Sequence, residues 1–286
     1  MNGDLIHLLE EKMPTFSKGQ KLIAQYLINS YDKAAYMTAA RLGALVGVSE
    51  STVVRFAIEL GFEGYPELQK SLQEIIRTRL TYNQRIAVTN NRIGDGDLLD
   101  KVLLSDSEKI RSTLDAISRE DFHRAVDRII NAKQIFIMGV RSSASLASFL
   151  SYSLNLVFDN IRLVHTTSGS EVFESLFPMT KDDVLIAISF PRYSTRIVNA
   201  VEYAHQIGAG VIALTDNRKS PIAQHASEVL VAQSDMASYI DSLVAPLSVI
   251  NAITVAIGRK KQSEIEERFD KLEQLWEEFD VYQKHK

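Results

Sequence analysis

Cysteine is missing from all 286 residues of this chain. A disulfide framework, a thiol nucleophile and cysteine metal sites are therefore excluded, and the composition suits a reducing cytosol. Long apolar runs are missing too. The longest uncharged stretch, between Asp241 and Arg259, falls short of the roughly 20 residues a spanning helix needs. It also contains Pro246, Ser248, Asn251 and Thr254, so it reads as a buried helix and no membrane partner is expected. The opening segment MNGDLIHLLEEKMP lacks a basic stretch followed by an apolar one, and no signal peptide is expected. Six prolines and thirteen glycines are scattered rather than gathered into low-complexity tracts.

A strong charge of either sign is lacking as well. The net charge is −4. Residues 1–85 carry ten Lys/Arg and nine Asp/Glu, a net of +1, and the remainder 22 and 27, a net of −5. Any contact with nucleic acid must come from a local patch rather than a domain-wide basic field. What is present is the balance of a globular protein, 45% hydrophobic and 24% charged residues, in a length that suits two domains.

The pattern along the chain supports that division. Residues 1–80 have helical periodicity, with Leu22, Ile23, Tyr26 and Leu27 and then Leu42, Leu45 and Val46 on apolar faces. Thr15, Ser17, Thr38 and Ser49 stand where helix N-caps are expected. Residues 81–97 are polar and broken by Asn90-Asn91 and Gly94-Asp95-Gly96, and read as a linker. Residues 98–286 form the second domain. A helical stretch is expected from about Leu98 to Asn131, then apolar runs near 135, 161, 184, 210 and 227 separated by helical segments. The fold class is thus an all-α N-terminal domain joined to an α/β domain, whose mainly parallel five-stranded sheet is covered on both faces. An apolar helix over 240–258 and a charged helix over 261–282 complete it. The last is expected to dock on its own domain with a solvated acidic face, although its stripe of Ile265, Phe269, Leu272, Leu275, Trp276 and Phe279 would also suit a dimer interface.

Residues 38–61 carry the sharpest local signal. Two helices flank Gly47-Val48-Ser49, in which Gly47 permits a positive φ, Val48 plugs the angle between the helices and Ser49 caps the second. Val53, Phe56, Ala57 and Leu60 fall on the face that packs inward. Ser51 and Arg55 lie on the opposite face, with Glu50 and Thr52 in the first turn. This is helix-turn-helix spacing, and residues at the start of the second helix are those that reach base edges. Ser49, Glu50, Ser51, Thr52 and Arg55 are the expected DNA-contacting set, Arg55 on a guanine edge or a phosphate. A plain capped helical hairpin is the competing reading.

In the second domain, ligands are expected beyond the carboxyl ends of the strands. There the first strand runs into Gly139-Val140-Arg141-Ser142-Ser143, the third into Ser189-Phe190-Pro191-Arg192-Tyr193-Ser194, and the fourth into Thr215-Asp216-Asn217. Hydroxyls beside helix N-termini suit phosphate or another anion, but each serine could instead cap its own helix. The six histidines are scattered, with His205 and His225 expected on helix surfaces, and no metal site is expected.

Two motifs carry a family resemblance. Phe16–Leu27 and Gly61-Phe62-Glu63-Gly64-Tyr65-Pro66-Glu67-Leu68 resemble the opening helix and the segment after the recognition helix in RpiR-family bacterial transcription regulators. The second domain resembles that family's sugar isomerase (SIS) domain. The resemblance implies a phosphorylated-sugar effector held by Ser142, Ser143, Ser189 and Ser194. Arg192, a departure from the family's loop, is expected to add a cationic fork for the same anion, with a solvated loop charge as the competing reading, and Glu171 completes the expected ligand-binding set. Arg141 and Arg192 stand where SIS loops commonly have glycine, and Pro191 replaces an inner serine. The expectation is a cytoplasmic regulator without a cofactor, binding double-stranded operator DNA as a homodimer or homotetramer. Enzymatic activity is not expected; the competing readings are a sugar-phosphate isomerase using Glu171 or His165 as base, and a metabolite-binding protein with no DNA role.

Overall fold

The computed structural model describes residues 5–79, 83–86, 89, 97–165, 168–235 and 239–282. It divides into two compact units, residues 1–96 and 97–286. Most of the linker expected over 81–97 lies outside the described residues.

The first unit is helical, with α1 (Leu5–Lys12), α2 (Lys18–Ala34), α3 (Ala39–Val46), α4 (Glu50–Glu59) and α5 (Tyr65–Arg79). Three of the expected caps form. Ser17 and Gln20 make a reciprocal capping box at the start of α2, Thr38 accepts from Arg41 N at α3, and Ser49 accepts from Thr52 N at α4. Thr15 is the exception. It ends a single 3-10 turn, Met13–Thr15, and its hydroxyl donates back to the Lys12 carbonyl. The core joins Leu9, Phe16, Ile23, Leu27, Leu42 and Phe56, all buried, and Phe16 meets Phe56 edge to face at 5.1 Å between ring centres.

The segment after α4 has a structural task. Tyr65 Oη donates to the carbonyls of Met37 (2.9 Å) and Ala34 (3.4 Å). One and two turns on, Gln69 Nε2 donates to Met37 O and Gln73 Nε2 to Ala35 O. One face of α5 thus donates to carbonyls at, and just beyond, the C-terminal end of α2.

The second unit begins with α6 (Leu98–Ala116) and α7 (Arg119–Asn131). The helical stretch expected here comprises two helices, because Ile117 turns to extended backbone and Ser118 accepts from Asp121 N (3.1 Å) to start a new helix. Five strands follow, β1 (Ile135–Gly139), β2 (Ile161–Val164), β3 (Val184–Ile188), β4 (Gly210–Thr215) and β5 (Glu228–Val231). All are parallel, in the order β2-β1-β3-β4-β5. Alternate residues build two cores. Ile135, Ile137 and Ile186 face one side with Leu146, Leu150, Ile250 and Ile253. Phe136, Met138 and Leu185 face the other with Ile197 and Val201. Those helical residues belong to α8 (Ser143–Asn155), α10 (Thr195–Gln206) and α11 (Val244–Lys260), and α9 (Gly169–Leu176) follows β2.

The terminal helix, α12 (Gln262–Glu278), has no fully buried residue, but Ile265, Phe269, Leu272 and Trp276 of its apolar stripe are half-buried while its acidic residues are exposed. Arg268 ties it to the body through Asp159 (2.7 Å) and the Asn155 carbonyl, while Leu275 and Phe279 are exposed. Among the described residues no helix is long and apolar enough to cross a membrane.

Candidate functional site

In the first unit, α3 ends at Gly47 with φ of 78°, and Val48 N donates to the Gly43 carbonyl. The close approach of α3 to the start of α4 depends on Gly43, where a Cβ would stand 2.8 Å from Val48 O and 3.3 Å from Glu50 N. Val53, Phe56, Ala57 and Leu60 are buried as expected. Ser49 Oγ lies 2.9 Å from Ser51 Oγ and 2.8 Å from Thr52 Oγ1 as well as capping the helix, so it is committed to the turn. Thr52 is half-buried, while Glu50, Ser51 and Arg55 are exposed. Arg55 Nε donates to Ser51 O (3.2 Å), which holds the guanidinium against the face that carries Ser51.

In the second unit the chain passes from β1 to its neighbour β2 and then returns to the other side of β1 as β3. Open α/β sheets bind ligands in the crevice at such a reversal; here it falls between the loops after β1 and β3, whose strand ends align at Gly139 and Ile188. At the first loop a Cβ on Gly139 would overlap the Ser143 carbonyl oxygen and stand 3.1 Å from Ala147 Cβ, so glycine lets α8 start directly over the strand. Ser142 occupies the N-cap of α8 but makes no capping hydrogen bond, and Ser194 stands likewise at α10. Both hydroxyls are left for another partner. Ser143 and Ser189 are buried, Ser194 is half-buried, and Ser142 and Arg192 are exposed. Glu171 lies in the first turn of α9, after β2, and is exposed.

Arg141 and Arg192 both adopt left-handed backbone conformations, with φ of 57° and 65°. The sequence places arginine where SIS loops commonly place glycine, and the chain keeps the glycine-like backbone. Beside Arg192, Tyr193 Oη donates to Asp216 Oδ1 (2.6 Å), and Asn217 Nδ2 donates to Asp216 Oδ2 (3.0 Å). This network ties the loop after β3 to the end of β4. Tyr193 and Asp216 were not among the expected site residues, because 23 residues separate them and only the β3–β4 pairing brings them together.

The opposite edge of the sheet also holds an open cleft of about 340 Å³, lined by Arg124, Arg128, Lys181, Asp183 and Glu228 among others. Two of its charges pair with each other across it. Arg128 forks buried Glu228 at 2.6 and 2.7 Å, which pushes the guanidinium pKa further up, and Arg124 pairs with Glu120 and Asp121. His225 lies in a turn rather than on a helix, its ring centre 5.1 Å from that of His205.

Two family models match the chain, a helix-turn-helix domain of the rpiR family over residues 3–78 and a SIS domain over residues 128–256. Among curated relatives, the uncharacterized HTH-type transcriptional regulator YfhH of Escherichia coli is 26% identical over 80% of this chain and 81% of its own length. The HTH-type transcriptional regulator HexR of the same species is 24% identical over 94% and 96%. Among solved structures, the sugar isomerase domain of an RpiR transcription factor from Sphaerobacter thermophilus is 27% identical, with a TM-score of 0.60 over 63% of this chain and 99% of that one. Vibrio vulnificus NanR complexed with ManNAc-6P is 21% identical and shares the fold over 96% of this chain and 99% of its own, with a TM-score of 0.61. With both domain models matched in this order and regulators along most of its length as relatives, the chain belongs to the RpiR family of helix-turn-helix transcriptional regulators that carry a SIS domain.

Proposed function

We propose that this regulator binds double-stranded operator DNA through Glu50, Ser51, Thr52 and Arg55, and takes a phosphorylated sugar or related metabolite as effector in the crevice after β1 and β3. Ser142, Ser143, Ser189, Arg192 and Ser194 hold the ligand, with Glu171 at its rim. Ser49, spent on its cap, shapes the DNA-reading turn rather than touching bases. The observation that carries the effector site is the pair of N-cap serines, Ser142 and Ser194, that cap nothing at adjacent strand ends. Hydroxyls beside helix N-termini offer a phosphate donors and a favourable dipole. The phosphorylated sugar in NanR, which has the same fold, supports this class of ligand.

The protein acts in the cytoplasm as a homodimer or homotetramer, since paired recognition helices read two-fold half-sites about one helical turn apart. It senses rather than isomerises: Glu171 is one exposed carboxylate, and Asp216 at the same edge is engaged by Tyr193 and Asn217.

A gel-shift titration against DNA flanking its own gene tests the reading. The double substitution Ser51→Ala and Arg55→Ala is expected to weaken binding at least tenfold, about the worth of one good base contact, with an unchanged melting temperature. Equal binding by the variant removes the recognition-helix assignment. Turnover of a phosphosugar that disappears in Glu171→Gln replaces the sensor with an isomerase.

A further inference from the structure

The loops after β1 and β3 repeat one arrangement. Each leaves its strand, places an arginine in the left-handed region, and then enters a helix whose N-cap serine makes no capping hydrogen bond. In the first loop these are Arg141, Ser142 and α8, a helix of 13 residues. In the second they are Arg192, Ser194 and α10, a helix of 12 residues. Strand neighbours β1 and β3 set the two copies side by side across the crevice. Neither loop, 140–143 or 189–194, contains an acidic residue. Asp216, the carboxylate tied to the second loop, is satisfied by Tyr193 and Asn217. In the loop after β4, Ser220 is 1% exposed and its hydroxyl has no partner among the described residues, a further polar group at this edge.

An anion held by the second cradle accounts for the phosphate assigned above. It leaves the first cradle, with its own guanidinium, hydroxyl and helix N-terminus, still to be filled. A guanidinium fork matches carboxylate as well as phosphate. We propose that the effector carries two anionic groups, a phosphate and a carboxylate, so that the ligand class is phosphorylated sugar acids rather than neutral sugar phosphates, with Arg141 reading the carboxylate. The proposal rests on the crevice between β1 and β3 being the effector site. It assigns a role to Arg141, and it gives a reason for arginine at two positions whose backbone suits glycine.

The test is calorimetric titration of the full-length protein with matched pairs, 6-phosphogluconate against glucose 6-phosphate and 5-phosphoarabinonate against arabinose 5-phosphate. In at least one pair the acid is expected to bind at least tenfold tighter than the aldose, the size of one charge-assisted contact. Arg141→Gly should bring that ratio back towards one. Glycine accepts a φ of 57° without strain, so the variant should melt no lower than the parent. Arg192→Gly should weaken acid and aldose alike. Equal binding of acid and aldose in both pairs overturns the two-anion proposal and leaves the sugar-phosphate reading standing. An equal loss for both ligands in Arg141→Gly overturns it too, because both arginines then grip one phosphate. Failure of all four compounds to bind brings down both readings together.

Discussion

A buried phenol at the foot of the DNA-reading unit shows how much one side chain can carry. Tyr65 is 4% exposed, and burial pushes its pKa up from 10.0 to about 12. The folded state therefore keeps the proton after an unfolded chain would release it. Its contribution to stability is full below pH 10 and lost as pH rises from 10 to about 12. Comparing thermal melts of the parent and Tyr65→Phe over that range checks this. The variant is expected to lose about 1 kcal/mol at neutral pH with its hydrogen bonds to Ala34 and Met37, and to decline less steeply above pH 10. At this scale the sequence is readable where a residue acts on its near neighbours. Ser17, Thr38 and Ser49 are identifiable as caps because each accepts from a backbone N–H only three residues ahead. Arg128 and Glu228 are not identifiable as partners, since 100 residues separate them and the meeting of α7 with β5 makes the pair.

Elements are legible where one interaction dominates. Continuous apolar runs that end at small residues mark β1, β3 and β4, because the central strands of a parallel sheet buried on both faces have little tolerance for polar side chains. The break between α6 and α7 was harder to see, since good helix formers lie on both sides and a single cap hydrogen bond decides it. The terminal helix shows what a pattern leaves open: an amphipathic stripe states that one face is apolar, not how far it is covered, and here it is half-buried. The contact between α3 and α4 gives a sharp test at this scale. Gly43→Ala puts a methyl group 2.8 Å from a backbone oxygen that has nowhere to retreat. It is expected to cost roughly 1–3 kcal/mol and to reduce operator binding, read by thermal melting and gel shift together. A variant as stable as the parent and equally able to bind DNA would show that the turn adjusts at little cost.

For the whole molecule, two compact units with separate cores make a prediction about linkage. If a phosphorylated sugar changes operator affinity by some factor, operator DNA must change the affinity for that sugar by the same factor. Titrating the effector with and without a saturating operator duplex measures it, and unequal factors would mean that a third species, such as a change of oligomer, takes part. Calorimetric melting adds a second expectation. An effector at about 100 times its dissociation constant should stabilise by about 2.7 kcal/mol, and the gain should appear in the transition of residues 97–286.

The far edge of the sheet bears on how such a signal can start. There Gly210 leaves room for the Arg128 side chain, which a Cβ would meet at 2.6 Å from Cδ and 2.9 Å from Nη1, and Glu228 clamps the guanidinium from the neighbouring strand. The floor of the sheet is in effect riveted, much as the heel of a tuning fork is fixed while its tines are free. A small anion arriving at the opposite rim finds nothing yielding beneath it, so whatever movement it sets off must run outward through the loops and the helices they begin.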